Sequence, residues 1–129
     1  MPRIEHSHTA DVAYEDVRQS FLTRLHGEQT RLAVLETALG AAADDPVSAF
    51  IALEMFAHRL RGAAAVFDLP GLRDDSKLLE LAAGDAAIRL APSGDPHVQQ
   101  AMQMLWTRLT GLNGGTTSAQ LMGAPFPAN

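Results

Sequence analysis

Residues 49–67 read Ala-Phe-Ile-Ala-Leu-Glu-Met-Phe-Ala-His-Arg-Leu-Arg-Gly-Ala-Ala-Ala-Val-Phe, and their spacing decides the fold. Nothing in the run opposes a helix except one glycine. At about 100° per residue, Ala49, Leu53, Phe56, Leu60, Ala63, Ala64 and Phe67 fall into one stripe, wide enough to be the buried face of a bundle helix. His58 points almost directly away from that stripe. Around it on the outer face stand Ile51, Glu54, Met55, Arg61, Gly62 and Ala65. A merely solvated face has no need of Gly62, since a glycine inside a helix costs roughly 1 kcal/mol relative to alanine. Close approach by another molecule is the simplest thing to offset that cost. The face reads as an imidazole with space cleared above it and a cation, Arg61, one turn along.

Outward from this stretch, helical patterns recur on both sides. Upstream, Asp11 is placed to cap a first helix. Its apolar positions Val17, Phe21, Leu25, Leu32, Leu35 and Leu39 keep helical spacing. Gly27-Glu28 interrupts the stripe and allows a bend, and Gly40 is a natural stop. Asp45-Pro46 reads as an N-cap followed by proline at the first helical position, which opens the central helix. Asp68-Leu69-Pro70-Gly71 ends that helix near Phe67, with Asp68 suited to a left-handed turn residue. A third helix is expected over Gly71–Ala83, with Leu72, Leu79, Ala82 and Ala83 inward and Leu78 on its flank. Arg73, Asp74, Asp75, Lys77 and Glu80 then form a solvated face, and Gly84-Asp85 breaks the helix. Asp95-Pro96 repeats the capping device and opens a last helix, with Val98, Ala101, Met102, Leu105, Leu109 and Leu112 inward and Trp106 beside them.

Four amphipathic helices with short links predict an all-α fold, an antiparallel up-and-down four-helix bundle. The bundle is expected over residues 13–112. A flexible segment over 1–12 precedes it. From Asn113 the composition turns to Gly, Thr, Ser, Pro and Ala, so 113–129 is expected to be a disordered tail.

Composition narrows the function. At 129 residues the chain is long enough for one self-sufficient core. The net charge of -5, with no basic stripe, argues against nucleic acid as a partner. There is no cysteine, which excludes disulfides, thiolate chemistry and any zinc site needing sulfur. No apolar run reaches membrane-spanning length and the amino terminus lacks a signal core, so a cytoplasmic protein without membrane contact is expected. His6 and His8 form a His-x-His pair whose place near the terminus makes it incidental. His26 and His97 read as surface residues, and the histidines are too scattered for a ligand set. No phosphate-cradling glycine loop, nucleophile elbow or zinc-protease motif is present.

His58-Arg59-Leu60-Arg61-Gly62-Ala63-Ala64-Ala65-Val66-Phe67, followed by Leu72 and Leu79-Glu80, resembles the histidine phosphotransfer (HPt) domain. The family pattern is His-x-Leu-Lys-Gly-x-Ala-x-x-Leu/Phe-Gly, a leucine four residues later and a Leu-Glu pair one helix on. Two positions depart from it: Arg61 stands where lysine is usual, and Asp68 where the family has glycine. A histidine-kinase dimerisation hairpin fits less well, because Arg59 rather than an acidic residue follows the histidine.

The resemblance implies a phosphorelay intermediate without its own nucleotide site, metal or cofactor. His58 would take a phosphoryl group from a receiver-domain phosphoaspartate and pass it to another receiver's aspartate. Arg61 would offset charge on the group in transit. Gly62 and Ala65 would let the receiver approach, and Ile51 and Met55 would give apolar docking contact. Glu54 would lie on the same docking face. The implied partners are response-regulator receiver domains and hybrid histidine kinases, and the chain is expected to be a monomer. The alternative is a helical adaptor that binds receivers or other signalling partners without being phosphorylated.

Overall fold

A computed structural model describes residues 2–114, with side chains from Val12 onward. The four helices are α1 (Pro2–Ala41), α2 (Val47–Val66), α3 (Pro70–Arg89) and α4 (Pro96–Leu112), and among the described residues there is no strand. Helix α1 packs on α2 and α4, and α3 packs on α2 and α4. Each helix therefore touches two neighbours and not the one diagonally opposite, which is a four-helix bundle. The largest interface joins α2 to α3. Across it Arg61 meets Glu80 while Glu54 meets Gly84, so these two helices run in opposite directions. None of the described helices is long and apolar enough to cross a membrane.

The core fills the space between the four stripes. Phe21, Leu25, Leu32 and Leu39 come from α1, Leu72 and Leu79 from α3, and Val98, Met102, Leu105 and Leu109 from α4. From α2, Leu53, Phe56, Leu60 and Ala64 are buried as expected, while Ala49, Ala63 and Phe67 are only partly covered. Phe50 and Ala57 are also fully buried. The buried face of α2 is broader than one stripe because it contacts α1 on one side and α3 on the other. Val17, expected in the core, is exposed.

Several boundaries differ from the sequence reading. Helix α1 begins at Pro2 rather than at Asp11 and passes unbroken through Gly27-Glu28. Pro46 itself occupies the N-cap of α2 with no side-chain cap, so Asp45 does not serve. Helix α3 continues through Gly84-Asp85 to Arg89. The alanines at 82, 83, 86 and 87 are the best helix formers and outweigh the roughly 1 kcal/mol cost of one glycine. A Cβ at Gly84 would lie 2.7 Å from Oε2 of Glu54, so the bare position seats a side chain of α2. Asp95 does cap α4, its carboxylate accepting from the amide of Val98 at 3.2 Å, with Pro96 next. The tail expected from Asn113 lies, after Gly114, outside the described residues.

Both ends of the α2–α3 hairpin close with a left-handed residue. Asp68 has φ 59°, the conformation expected for it. The amide of Leu69 bonds the Ala64 carbonyl at 2.9 Å and that of Asp68 bonds the Ala65 carbonyl at 3.4 Å. This is the Schellman arrangement that satisfies the last carbonyls of a helix. Tyr14 and Arg18 of α1 donate to the next two carbonyls, those of Val66 and Phe67. Phe67 stacks on Phe21 with ring centroids 4.9 Å apart. At the end of α3, Leu90 repeats the turn at φ 57°, with the Ala91 amide on the Ala86 carbonyl at 2.9 Å.

A left-handed leucine costs roughly 1–2 kcal/mol, of which glycine's greater unfolded freedom would take back part. The Leu90 side chain is exposed, so little packing is lost on removing it. Leu90→Gly is therefore expected to stabilise the fold by about 0.5–1 kcal/mol, read as a higher urea midpoint at unchanged slope. An unchanged or lower midpoint would show that the turn stores no strain.

Candidate functional site

Helix α2 presents its outer face as the spacing requires. His58 is 63% exposed at the side chain, and Ile51, Met55, Gly62 and Ala65 are exposed around it. A Cβ built on Gly62 meets nothing within 4 Å, so the space above it is open. Glu54 is partly buried and leans to α3, where its carboxylate rests over Gly84. Arg61 also leans to α3. The structure thus keeps His58, Gly62, Ala65, Ile51 and Met55 on one open face and turns Glu54 and Arg61 toward its α3 edge.

The residue that organises this edge is Glu80, which charge pattern alone places on a solvated face. Its side chain is only 18% exposed. Oε1 accepts from Arg61 Nε at 2.6 Å, and Oε2 lies 2.8 Å from His58 Nδ1 and 3.5 Å from Arg61 Nη2. Hydrogen bonding from Arg61 holds the Glu80 carboxyl below its ordinary range. Burial opposes this, and the His58 hydrogen bond and the nearby positive charge add to it. The pairing in turn raises the Arg61 guanidinium above its ordinary value, chiefly through the hydrogen bond to Glu80.

An ionised carboxylate has only lone pairs to offer. The hydrogen in the 2.8 Å contact must therefore come from the ring, so neutral His58 is the Nδ1–H tautomer. Its lone pair is then on Nε2, across the ring, which has no hydrogen-bond partner among the described residues. Arg61 Nη2 lies 3.2 Å from Nδ1. Both nitrogens are donors converging on Oε2, so this closeness follows from the shared acceptor rather than from a bond between them. The site is an exposed imidazole with Nε2 unengaged, oriented at Nδ1 by a carboxylate that a guanidinium holds in place. A carboxylate orients an imidazole by the same logic in a Ser-His-Asp triad.

A second carboxylate read as solvated, Asp75, is also buried. It accepts from Arg108 of α4 at 2.9 Å, on the far side of α3 from the histidine. The exposed His26 and His97 take no part in the site, and His6 and His8 lie outside the residues whose side chains are described. Among the described residues no three His, Asp or Glu side chains converge as a ligand set for a metal.

Because folding lowers the Glu80 pKa, its contribution to stability is complete above the unfolded carboxylate value of 4.5 and is lost as pH falls through the folded value. Glu80→Gln is expected to be less stable than the native chain at neutral pH, with the gap closing on acidification below that value. Thermal melts of both proteins across the acid range check this. A gap independent of pH would show that the carboxylate's charge is not what matters.

No family model, curated protein or solved structure matches the chain, so its own geometry carries the functional reading.

Proposed function

We propose that this protein is a phosphorelay intermediate, taking a phosphoryl group on His58 Nε2 from the phosphoaspartate of a receiver domain and giving it to the aspartate of another. The observation that carries the reading is the Glu80–His58 pair, which commits Nδ1 to a hydrogen bond and leaves Nε2 without a hydrogen-bond partner on an exposed side chain. The resemblance of residues 58–67, Leu72 and Leu79-Glu80 to the HPt pattern supports it.

In the forward step the N–P bond forms at Nε2 as the P–O bond to the donor aspartate breaks, and that carboxylate leaves with the electron pair. Positive charge develops on the ring, and the Glu80 carboxylate at Nδ1 faces it. In the second step the acceptor aspartate attacks phosphorus, and Nε2 recovers its lone pair. This chain supplies a positioned nucleophile. Arg61 would act in two ways, holding Glu80 through Nε and adding positive charge at the rim of the site. Its planar fork suits that double duty in a way a lysine's point charge does not.

The direct test uses phosphoramidate, a small donor whose P–N bond is exchanged for one to the imidazole with ammonia leaving. The native chain is expected to gain acid-labile, alkali-stable phosphate and to pass it to receiver domains from its own cell. His58→Gln is expected to keep the full helical circular dichroism signal and to take no label. A labelled His58→Gln protein, or a native chain that never labels, would overturn the reading. In the latter case a receiver that still binds would favour an adaptor.

The open space over Gly62 yields a separate test. Gly62→Gln is expected to stabilise the helix by up to ~1 kcal/mol, to load from phosphoramidate as the native chain does, and to transfer to receivers at least about tenfold more slowly. Native receiver kinetics in this variant would show that Gly62 clears no path.

A further inference from the structure

The charged side chains of the bundle are unevenly paired. Arg18, Arg61, Arg73, Arg89 and Arg108 each have an acidic partner within 4.0 Å. Arg24, Arg31 and Arg59 have none among the described residues, although the chain carries 15 acidic residues against 10 basic ones. Arg24 lies over the ring of Phe21, 6.0 Å from its centroid. Arg31 of α1 and Arg59 of α2 line an open groove of about 390 Å³ between those two helices. Its other walls are Leu35, Ala52, Met55 and Phe56. The groove thus has an apolar lining and two unneutralised guanidinium groups, in a protein whose excess of acid could have neutralised them.

Its position ties it to the phosphotransfer face. Met55 belongs to both, and Arg59 follows His58 in the chain. A standard interface buries about 800 Å² on each partner, a disc of roughly 16 Å radius, whereas packed helices are only about 8–10 Å apart. A receiver centred on His58 therefore covers the groove. Covering two guanidinium groups without an acidic partner would be costly. Covering them with carboxylates adds charge-assisted contacts and steers the encounter.

Resting on the phosphotransfer reading, we infer that the α1–α2 groove is the specificity element of the docking face. It takes a receiver surface that sets one or two acidic side chains beside an apolar one, so that Arg31 and Arg59 select acidic-rimmed receivers from the others in the cell. His58 and Glu80 perform the transfer, and the two arginines decide who receives it.

The experiment loads His58 with phosphoramidate and then measures transfer to purified receiver domains as a function of salt. Arg31→Glu/Arg59→Glu is compared with the native chain and with Arg31→Lys/Arg59→Lys. The reversed variant is expected to load as the native chain does, because the small donor needs no docking. Its second-order transfer to the preferred receiver is expected to fall roughly tenfold to a hundredfold at low salt. The native chain's rate is expected to fall steeply with salt, and in the reversed variant that decline is expected to flatten or invert. The lysine variant is expected to retain most of the rate. Loading and transfer that are both indifferent to the double reversal would overturn this inference and leave the phosphotransfer reading standing. A change confined to self-association in sedimentation would give the groove to a second copy of the chain and overturn it as well. A native chain that does not load, or that no receiver discharges, would overturn the phosphotransfer reading and this one with it.

Discussion

A carboxylate cannot donate a hydrogen bond once it is ionised, and the candidate site depends on that fact. Glu80 stands between a guanidinium and an imidazole. Arg61 keeps it charged, and its charge dictates which ring nitrogen of His58 holds the proton. The opposite nitrogen is left bare by elimination. Each member of the trio is weakly constrained alone, since His58 is exposed and Arg61 sits near the rim. Together they fix a ring orientation that an isolated surface histidine would lack.

The bundle supplies the rigidity this trio needs. Helices α2 and α3 bury small residues, Ala57 and Ala64 from one and Ala83 and Ala86 from the other, and they share the largest interface in the fold. The bare Cα of Gly84 seats Glu54 at the same seam. On the other side of the molecule Gln29, only 2% exposed, donates to Thr110 at 2.7 Å and accepts from Asn113 at 2.9 Å. That buried polar clamp ties α1 to the end of α4, where an apolar contact would fix position less sharply.

The outer face of α2 was legible from the sequence because helical periodicity is local: once Leu53, Phe56 and Leu60 point inward, His58 and Gly62 must point out. The cap at Asp95 and the left-handed turn at Asp68 were legible for the same reason, each resting on neighbouring residues alone. Glu80 and Asp75 were not, because a charge on a helix looks solvated until its partner on another helix is known. Gly84 misled in the same way. Its cost to a lone helix is real, but the alanines around it and Glu54 across from it decide the outcome. His58 and Glu80 stand equally far before and after Leu69, as do Glu54 and Gly84, so a hairpin folded at that residue brings each pair together.

The connection at Asp68-Leu69 therefore works as a ruler. It touches neither the imidazole nor the carboxylate, yet it sets the register in which they meet. Each residue added to or removed from that joint would turn α3 by about 100° and slide it by about 1.5 Å relative to α2, carrying Glu80 away from the ring while leaving both helices intact. Side chains along the joint can vary as long as one residue accepts a left-handed backbone, which explains how an aspartate can stand at that position. Its length has no such latitude, and a single-residue insertion there would part Glu80 from His58 without touching either.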